Sequence, residues 1–133
     1  MILGADQLIA ALPFVLRRWG LDPRRVRREA IAAAFAEARL LAAGDEHLEP
    51  AALFYALAGR PRGLGAAWIR LTQLVAVTHA QRLGLALPAD ADELRSLCVR
   101  IAASEVGFED ARAWFATRIC FTTWAPGSVL ACT

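Results

Sequence analysis

The sequence predicts an all-α fold: a compact single-domain bundle of about six helices around a buried central helix. Of the 133 residues, 57% are hydrophobic and 29 are alanine, a strong helix former. Apolar residues recur at helical spacing, and glycine or proline residues separate the periodic stretches. This length favours one domain, which buries enough apolar surface to fold without a metal or a disulfide.

The first two predicted helices span residues 4–19 and 22–44. Pro13 should kink or divide the first helix, because proline has no N–H donor. Asp22 and Pro23 should begin the second helix, since aspartate caps free backbone amides and proline is tolerated at the first helical position. Small alanine residues along the second helix favour close packing, so we expect it to be a central element.

The rest of the chain alternates helices with turns that contain glycine or proline. The predicted elements are, in order, a short helix at 49–59, a turn-rich loop at 60–65, a buried core helix at 65–83, a helix that starts at a capping box of Asp90 and Glu93, and a last helix at 109–119. We expect residues 1–119 to form the helical domain. Residues 120–133 have no helical periodicity and are predicted to form a loosely ordered tail.

The chain is predicted to be a cytoplasmic protein. Its three cysteine residues are odd in number and have no short paired spacing, which excludes a closed disulfide framework and favours a reducing compartment. The first apolar stretch has its positive charges, Arg17 and Arg18, at the wrong end for a signal peptide. No window reaches about 18 uninterrupted apolar residues, so we expect no membrane partner.

The loop at 60–65 is a candidate binding site for a phosphate group. Gly63 and Gly65 allow backbone amides to approach a ligand closely, and Arg60 and Arg62 supply charged donors. The following helix would add its N-terminal amides, and Arg70 would lie about one and a half turns into it. The alternative interpretation is an ordinary turn between two helices, with solvated arginine side chains.

A second candidate site is the basic segment of Arg24, Arg25, Arg27 and Arg28, which is predicted to bind an acidic partner protein. These four charges would lie in the first turns of a helix, where the helix dipole disfavours them. A solvated charged face is the alternative. The net charge of only +2 argues against a nucleic-acid partner.

The sequence contains no self-evident catalytic or metal site. Neither His47 nor His79 has another histidine, cysteine or carboxylate at ligand spacing, so we expect structural roles for both and no bound metal. Cys98 falls on the apolar face of its predicted helix, where it is most simply a core residue.

Several short segments occur in an order that matches one known helical family. The matching segments are 51–58, Arg60-Pro61, Gly65, 74–85, 92–94, 102–105 and 108–114. Arg60-Pro61 stands where the family has His-Pro, and Gly65 stands at the motif glycine. Over residues 3–118 the chain resembles the Doc branch of the Fic family, and it looks like a degenerate Doc-like toxin component of a bacterial toxin–antitoxin pair.

This resemblance implies a ligand and a partner. Fic proteins transfer AMP or phosphate from a nucleotide onto hydroxyl groups of target proteins, so the implied ligand is ATP or another nucleotide. The resemblance also implies a small antitoxin protein as the partner. Arg60, Arg62 and Arg70 would hold the nucleotide phosphates, together with Gly63 and Gly65.

The resemblance does not imply the reaction itself. The family uses a motif histidine as the base, an acidic residue to hold Mg²⁺ and an asparagine on the phosphates, whereas this chain has Arg60, Leu64 and Ala66 at those positions. Arginine cannot act as a general base, and leucine cannot hold a hard cation. We therefore expect an inactive relative, a pseudoenzyme. The alternative is a non-enzymatic helical interaction module that uses the basic segment.

Overall fold

Seven α-helices and two very short strands make up the computed structural model, which describes residues 3–121. The helices are α1 (Ala5–Arg18), α2 (Arg28–Ala42), α3 (Glu49–Ala58), α4 (Pro61–Leu64), α5 (Trp68–Arg82), α6 (Ala91–Ala102) and α7 (Phe108–Ala116). Six of them are nine residues or longer, and α4 is a single turn. The predicted all-α bundle of about six helices in one domain is therefore confirmed.

The buried central helix is α3, which packs most extensively against α2 on one side and α5 on the other. Nine of its ten residues are buried. We predicted the buried core helix at 65–83, but α5 is buried along one face only. The reason is composition: α3 carries no charged residue after Glu49, whereas α5 presents Arg70 and Arg82 to solvent.

The predicted helix at 22–44 begins later than the sequence indicates. Pro23–Arg25 form a 3₁₀ turn, Val26 has an extended backbone and α2 starts only at Arg28. Val26 is buried, so the extended residue directs its side chain into the core. In α1, by contrast, Pro13 lies inside one helix and does not divide it.

Two groups of buried apolar residues form the core, and α3 contributes to both. One lies among α1, α2, α3 and α5. The other lies among α3, α6 and α7 and includes the tilted pair of Phe54 and Phe115, whose ring centroids are 5.3 Å apart. The predicted cap of α6 is confirmed, because the Asp90 carboxylate accepts a 2.7 Å hydrogen bond from the Glu93 amide.

The last helix ends at Ala116, three residues earlier than predicted. Leu85–Ala86 then pair antiparallel with Cys120–Phe121. This pairing uses the first two residues of the predicted tail, and residues 122–133 lie outside the described part of the chain. None of the helices in residues 3–121 has the length and apolar character that crossing a bilayer requires.

Candidate functional site

The loop at 60–65 is mostly the short helix α4. Arg60 precedes its first turn, and Pro61 occupies the first helical position, where its missing N–H costs nothing. Gly65 follows with a φ of 57°, a conformation that glycine adopts without strain. A 3₁₀ turn over Gly65–Ala67 separates this loop from Trp68, the first residue of α5. We predicted that this helix begins at Gly65, but α5 begins three residues later, so its N-terminal amides do not lie directly at the glycines.

Gly63 brings α4 into close contact with α2. Its carbonyl oxygen accepts a 2.8 Å hydrogen bond from the backbone amide of Arg27. A Cβ atom on Gly63 would lie 2.4 Å from the Cβ atom of Ala30, which is a clash. Glycine is thus required for close packing here, and this packing brings the basic segment against the loop.

A pocket of about 530 Å³ lies at this junction. Three arginine residues line it, Arg27, Arg60 and Arg62, together with one acidic residue, Glu29, and with Gly59 and Gly63. We call it the arginine pocket. Three of the five predicted phosphate-binding residues line it, Arg60, Arg62 and Gly63, and Arg27 of the basic segment joins them.

The three arginine side chains differ in how far their charge is already compensated. Arg60 is three-quarters buried, and its Nη1 donates a 2.7 Å hydrogen bond to the Ala56 carbonyl and a 3.3 Å one to Glu37 Oε1. Arg62 is exposed and has no ion pair among the described residues. Arg27 is likewise exposed and forms no ion pair among the described residues, so Arg62 and Arg27 are the two cations available to an anionic ligand.

Two predicted ligand residues do not line this pocket. Arg70 lies over the ring of Trp19, with 4.5 Å between its Cζ atom and the ring centroid, and it lines a separate surface groove. Gly65 approaches the backbone of Arg25 but does not line the pocket. The structure thus separates Arg70 from the other predicted phosphate-binding residues.

The basic segment is not the first turn of a helix. Arg24 and Arg25 lie in the 3₁₀ turn, Arg27 caps α2 and Arg28 is its first residue. All four are exposed. The Asp22 carboxylate accepts a hydrogen bond from the Arg24 amide at 3.0 Å and pairs with the guanidinium at 3.3 Å, contacts that lower the pKa of Asp22 and raise that of Arg24.

The sequence did not reveal a buried polar pair between Glu49 and His79. The first residue of α3 and the last turn of α5 bring them together, and the Glu49 carboxylate accepts a 2.8 Å hydrogen bond from His79 Nε2. His79 is fully buried, and its Nδ1 has no hydrogen-bond partner within residues 3–121. The one sequence feature that could have indicated this pair is His79 itself, a histidine on the otherwise apolar face of its predicted helix.

The cysteine residues differ in state. Cys98 is free and buried, and burial raises its thiol pKa to about 12, so it is a poor nucleophile. Cys120 is disulfide-bonded, whereas the sequence predicted a reducing compartment, in which disulfides are rare. No group of three or more histidine, cysteine or carboxylate side chains in the described part of the chain is arranged to hold a metal ion.

No protein-family model matches the chain, and a search of curated protein sequences finds no match.

Proposed function

We propose that the chain binds a phosphate-bearing ligand of the nucleotide class in the arginine pocket. The observation that carries the proposal is the convergence of Arg27, Arg60 and Arg62 on one cavity of about 530 Å³. Guanidinium groups recognise phosphate oxygens by charge and by paired hydrogen bonds. The backbone of Gly59 and Gly63 in the pocket wall lets a ligand approach the main chain closely.

The proposed activity is binding without group transfer, as in a Doc-like toxin component that has become a pseudoenzyme. Arg60 occupies the position of the family's base, and an arginine side chain has no acceptor with which to take up a proton as a general base. Leu64, at the position of the acidic metal ligand, is fully buried in the core. Both features support a pocket that holds an anion but has no base and no Mg²⁺ ligand at the family's positions.

The proposal also places the chain in the bacterial cytoplasm with a small antitoxin as its partner. Two large apolar side chains are exposed and available to such a partner, Phe14 at 72% and Leu40 at 81%.

Calorimetric titration with ATP, ADP and inorganic phosphate tests binding directly. We expect the wild type to bind at least one of them, and Arg62→Ala to lower the affinity by about tenfold, because it removes a charged hydrogen-bond donor. Arg95→Ala is the matched control, since Arg95 is an exposed residue of α6 outside the pocket. No binding by the wild type, or equal losses in both variants, would overturn the proposal.

Transfer is tested separately with ATP labelled on its α or its γ phosphate, Mg²⁺ and a bacterial lysate. We expect no label on any protein under conditions in which an active Fic protein labels its target. Transfer of the γ label would reveal a phosphotransferase, and transfer of the α label would reveal AMP transfer. Either result would contradict the pseudoenzyme part of the proposal while leaving nucleotide binding intact.

A further inference from the structure

A second concave surface lies beside the arginine pocket, between α1 and the basic segment. This groove encloses about 400 Å³. Its floor is apolar and is formed by Ile9, Leu12 and Pro13 of α1. The next residue, Phe14, is also largely exposed. An apolar side chain of a docked molecule could cover these residues and remove them from water.

The rim of this groove is positively charged. Arg24, Arg27 and Arg28 line it, and Glu29 is the one acidic residue that the groove wall presents. We call this surface the basic groove. Asp22 pairs with Arg24, while Arg27 and Arg28 form no ion pair within the described residues. The rim therefore keeps an excess of positive charge above an apolar floor.

We propose that the basic groove docks an acidic amphipathic segment of a partner protein. One aliphatic or aromatic side chain of the segment lies on Ile9, Leu12 and Pro13, and flanking aspartate or glutamate side chains pair with the arginines of the rim. Charge complementarity selects an acidic partner, and the apolar floor selects a peptide over a phosphate backbone, which has no apolar group to bury. This docking surface adds a function to the one proposed for the arginine pocket.

Pro13 gives the floor a further feature that suits a peptide. In an α-helix the carbonyl of Ile9 accepts a hydrogen bond from the N–H of residue 13, and proline has no N–H. The Ile9 carbonyl therefore lacks its regular helical donor, and both residues line the groove. A backbone N–H of the docked segment would supply that donor and fix the segment's position.

The test is a selection of random twelve-residue peptides on the full chain, followed by affinity measurements on synthetic peptides by fluorescence anisotropy. We expect the selected peptides to be enriched in aspartate and glutamate around one leucine, isoleucine or phenylalanine. Arg28→Ala should weaken the best peptide by about tenfold, since it removes a charged partner, whereas Arg95→Ala should not. Replacing the apolar residue of the peptide by glycine should weaken binding by a similar factor.

Three outcomes would overturn the inference. These are selected peptides without acidic enrichment, equal affinities for Arg28→Ala and Arg95→Ala, and tighter binding of a twelve-nucleotide single strand than of the best peptide. Arg28 is exposed at the first position of α2, where alanine is well tolerated, so the variant should fold. Arg28 does not line the arginine pocket, and ATP titration of the same variant therefore separates failure of the groove from failure of the pocket.

Discussion

The backbone amide of Arg27 lies 2.8 Å from the carbonyl oxygen of Gly63 and donates a hydrogen bond to it. This single bond joins two segments that the sequence presented as separate candidate sites. Arg27 lines both the arginine pocket and the basic groove, so the two concave surfaces share one wall. Any change that moves Gly63 away from α2 should therefore alter both surfaces.

Gly63→Ala is expected to destabilise the fold. The new Cβ would lie 2.4 Å from the Cβ of Ala30, and relieving such an overlap in a packed site costs about 1–3 kcal/mol. Urea unfolding measures the loss, and calorimetry with a nucleotide should show weaker binding, because the displaced α4 no longer holds Arg62 in the pocket.

Gly59→Ala is the control for this change in the same pocket wall. Its Cβ would lie 3.5 Å from the nearest backbone atom, an ordinary contact, so stability should change by less than about 1 kcal/mol. The double variant Gly63→Ala with Ala30→Gly should recover part of the loss, because it removes the second methyl group. Equal effects of the two glycine variants would contradict the packing role of Gly63.

The sequence predicted local structure well because local chemistry determines it. The α6 cap at Asp90 depends on groups only three residues apart. The start of α2 was missed because it depends on contacts distant in sequence: Val26 is buried in the core, and the Arg27 amide bonds to Gly63. Asp22 does cap backbone amides as predicted, but it caps a 3₁₀ turn.

The sequence predicted which neighbouring residues of the loop share a site, but it did not predict where the more distant Arg70 lies. Arg60, Arg62 and Gly63 are neighbours in sequence, so their common location follows from the chain itself. Arg70 was placed with them by helical spacing, yet the ring of Trp19, more than fifty residues earlier in the chain, holds its guanidinium elsewhere. Such long-range partners leave no local pattern to recognise.

Glu49→Ala is expected to lower stability through His79. The substitution leaves a fully buried imidazole without its hydrogen-bond partner, which costs about 1–3 kcal/mol. Glu49→Gln keeps an acceptor oxygen and should cost less. Glu46→Ala is the control. It removes an exposed carboxylate from the 3₁₀ turn Glu46–Leu48, which precedes α3, and should have almost no effect on the urea midpoint. If Glu49→Ala leaves the urea midpoint unchanged, the pair of Glu49 and His79 does not stabilise the fold.

Cys98 is expected to resist alkylation in the native protein, because its buried thiol has a pKa of about 12 and stays protonated at neutral pH.

The raised pKa of Cys98 also predicts that the stability of the fold depends on pH. The unfolded thiol loses its proton near its ordinary pKa of 9.0, so rising pH stabilises the unfolded state first, and stability falls between pH 9 and about 12. Cys98→Ala should show a smaller decline over this range in chemical unfolding. Identical slopes, or rapid native labelling of the peptide that contains Cys98, would contradict the buried environment.

Asp22→Asn is expected to strengthen the binding of an acidic peptide to the basic groove by about twofold, in line with the small energies of exposed ion pairs. Asparagine can still accept the hydrogen bond from the Arg24 amide, so the turn should persist, while the carboxylate that now pairs with Arg24 is removed. Asp45→Asn is the matched control, because Asp45 caps the 3₁₀ turn Glu46–Leu48 through the His47 amide in the same way and lies outside the groove. Contacts with Arg24 hold the pKa of Asp22 below its ordinary value of 3.8, so the wild-type carboxylate is charged at both pH 7 and pH 5. Peptide affinities measured at pH 7 and pH 5 should show the same gain, and a loss of affinity in Asp22→Asn would mean that Arg24 serves the turn and not the partner.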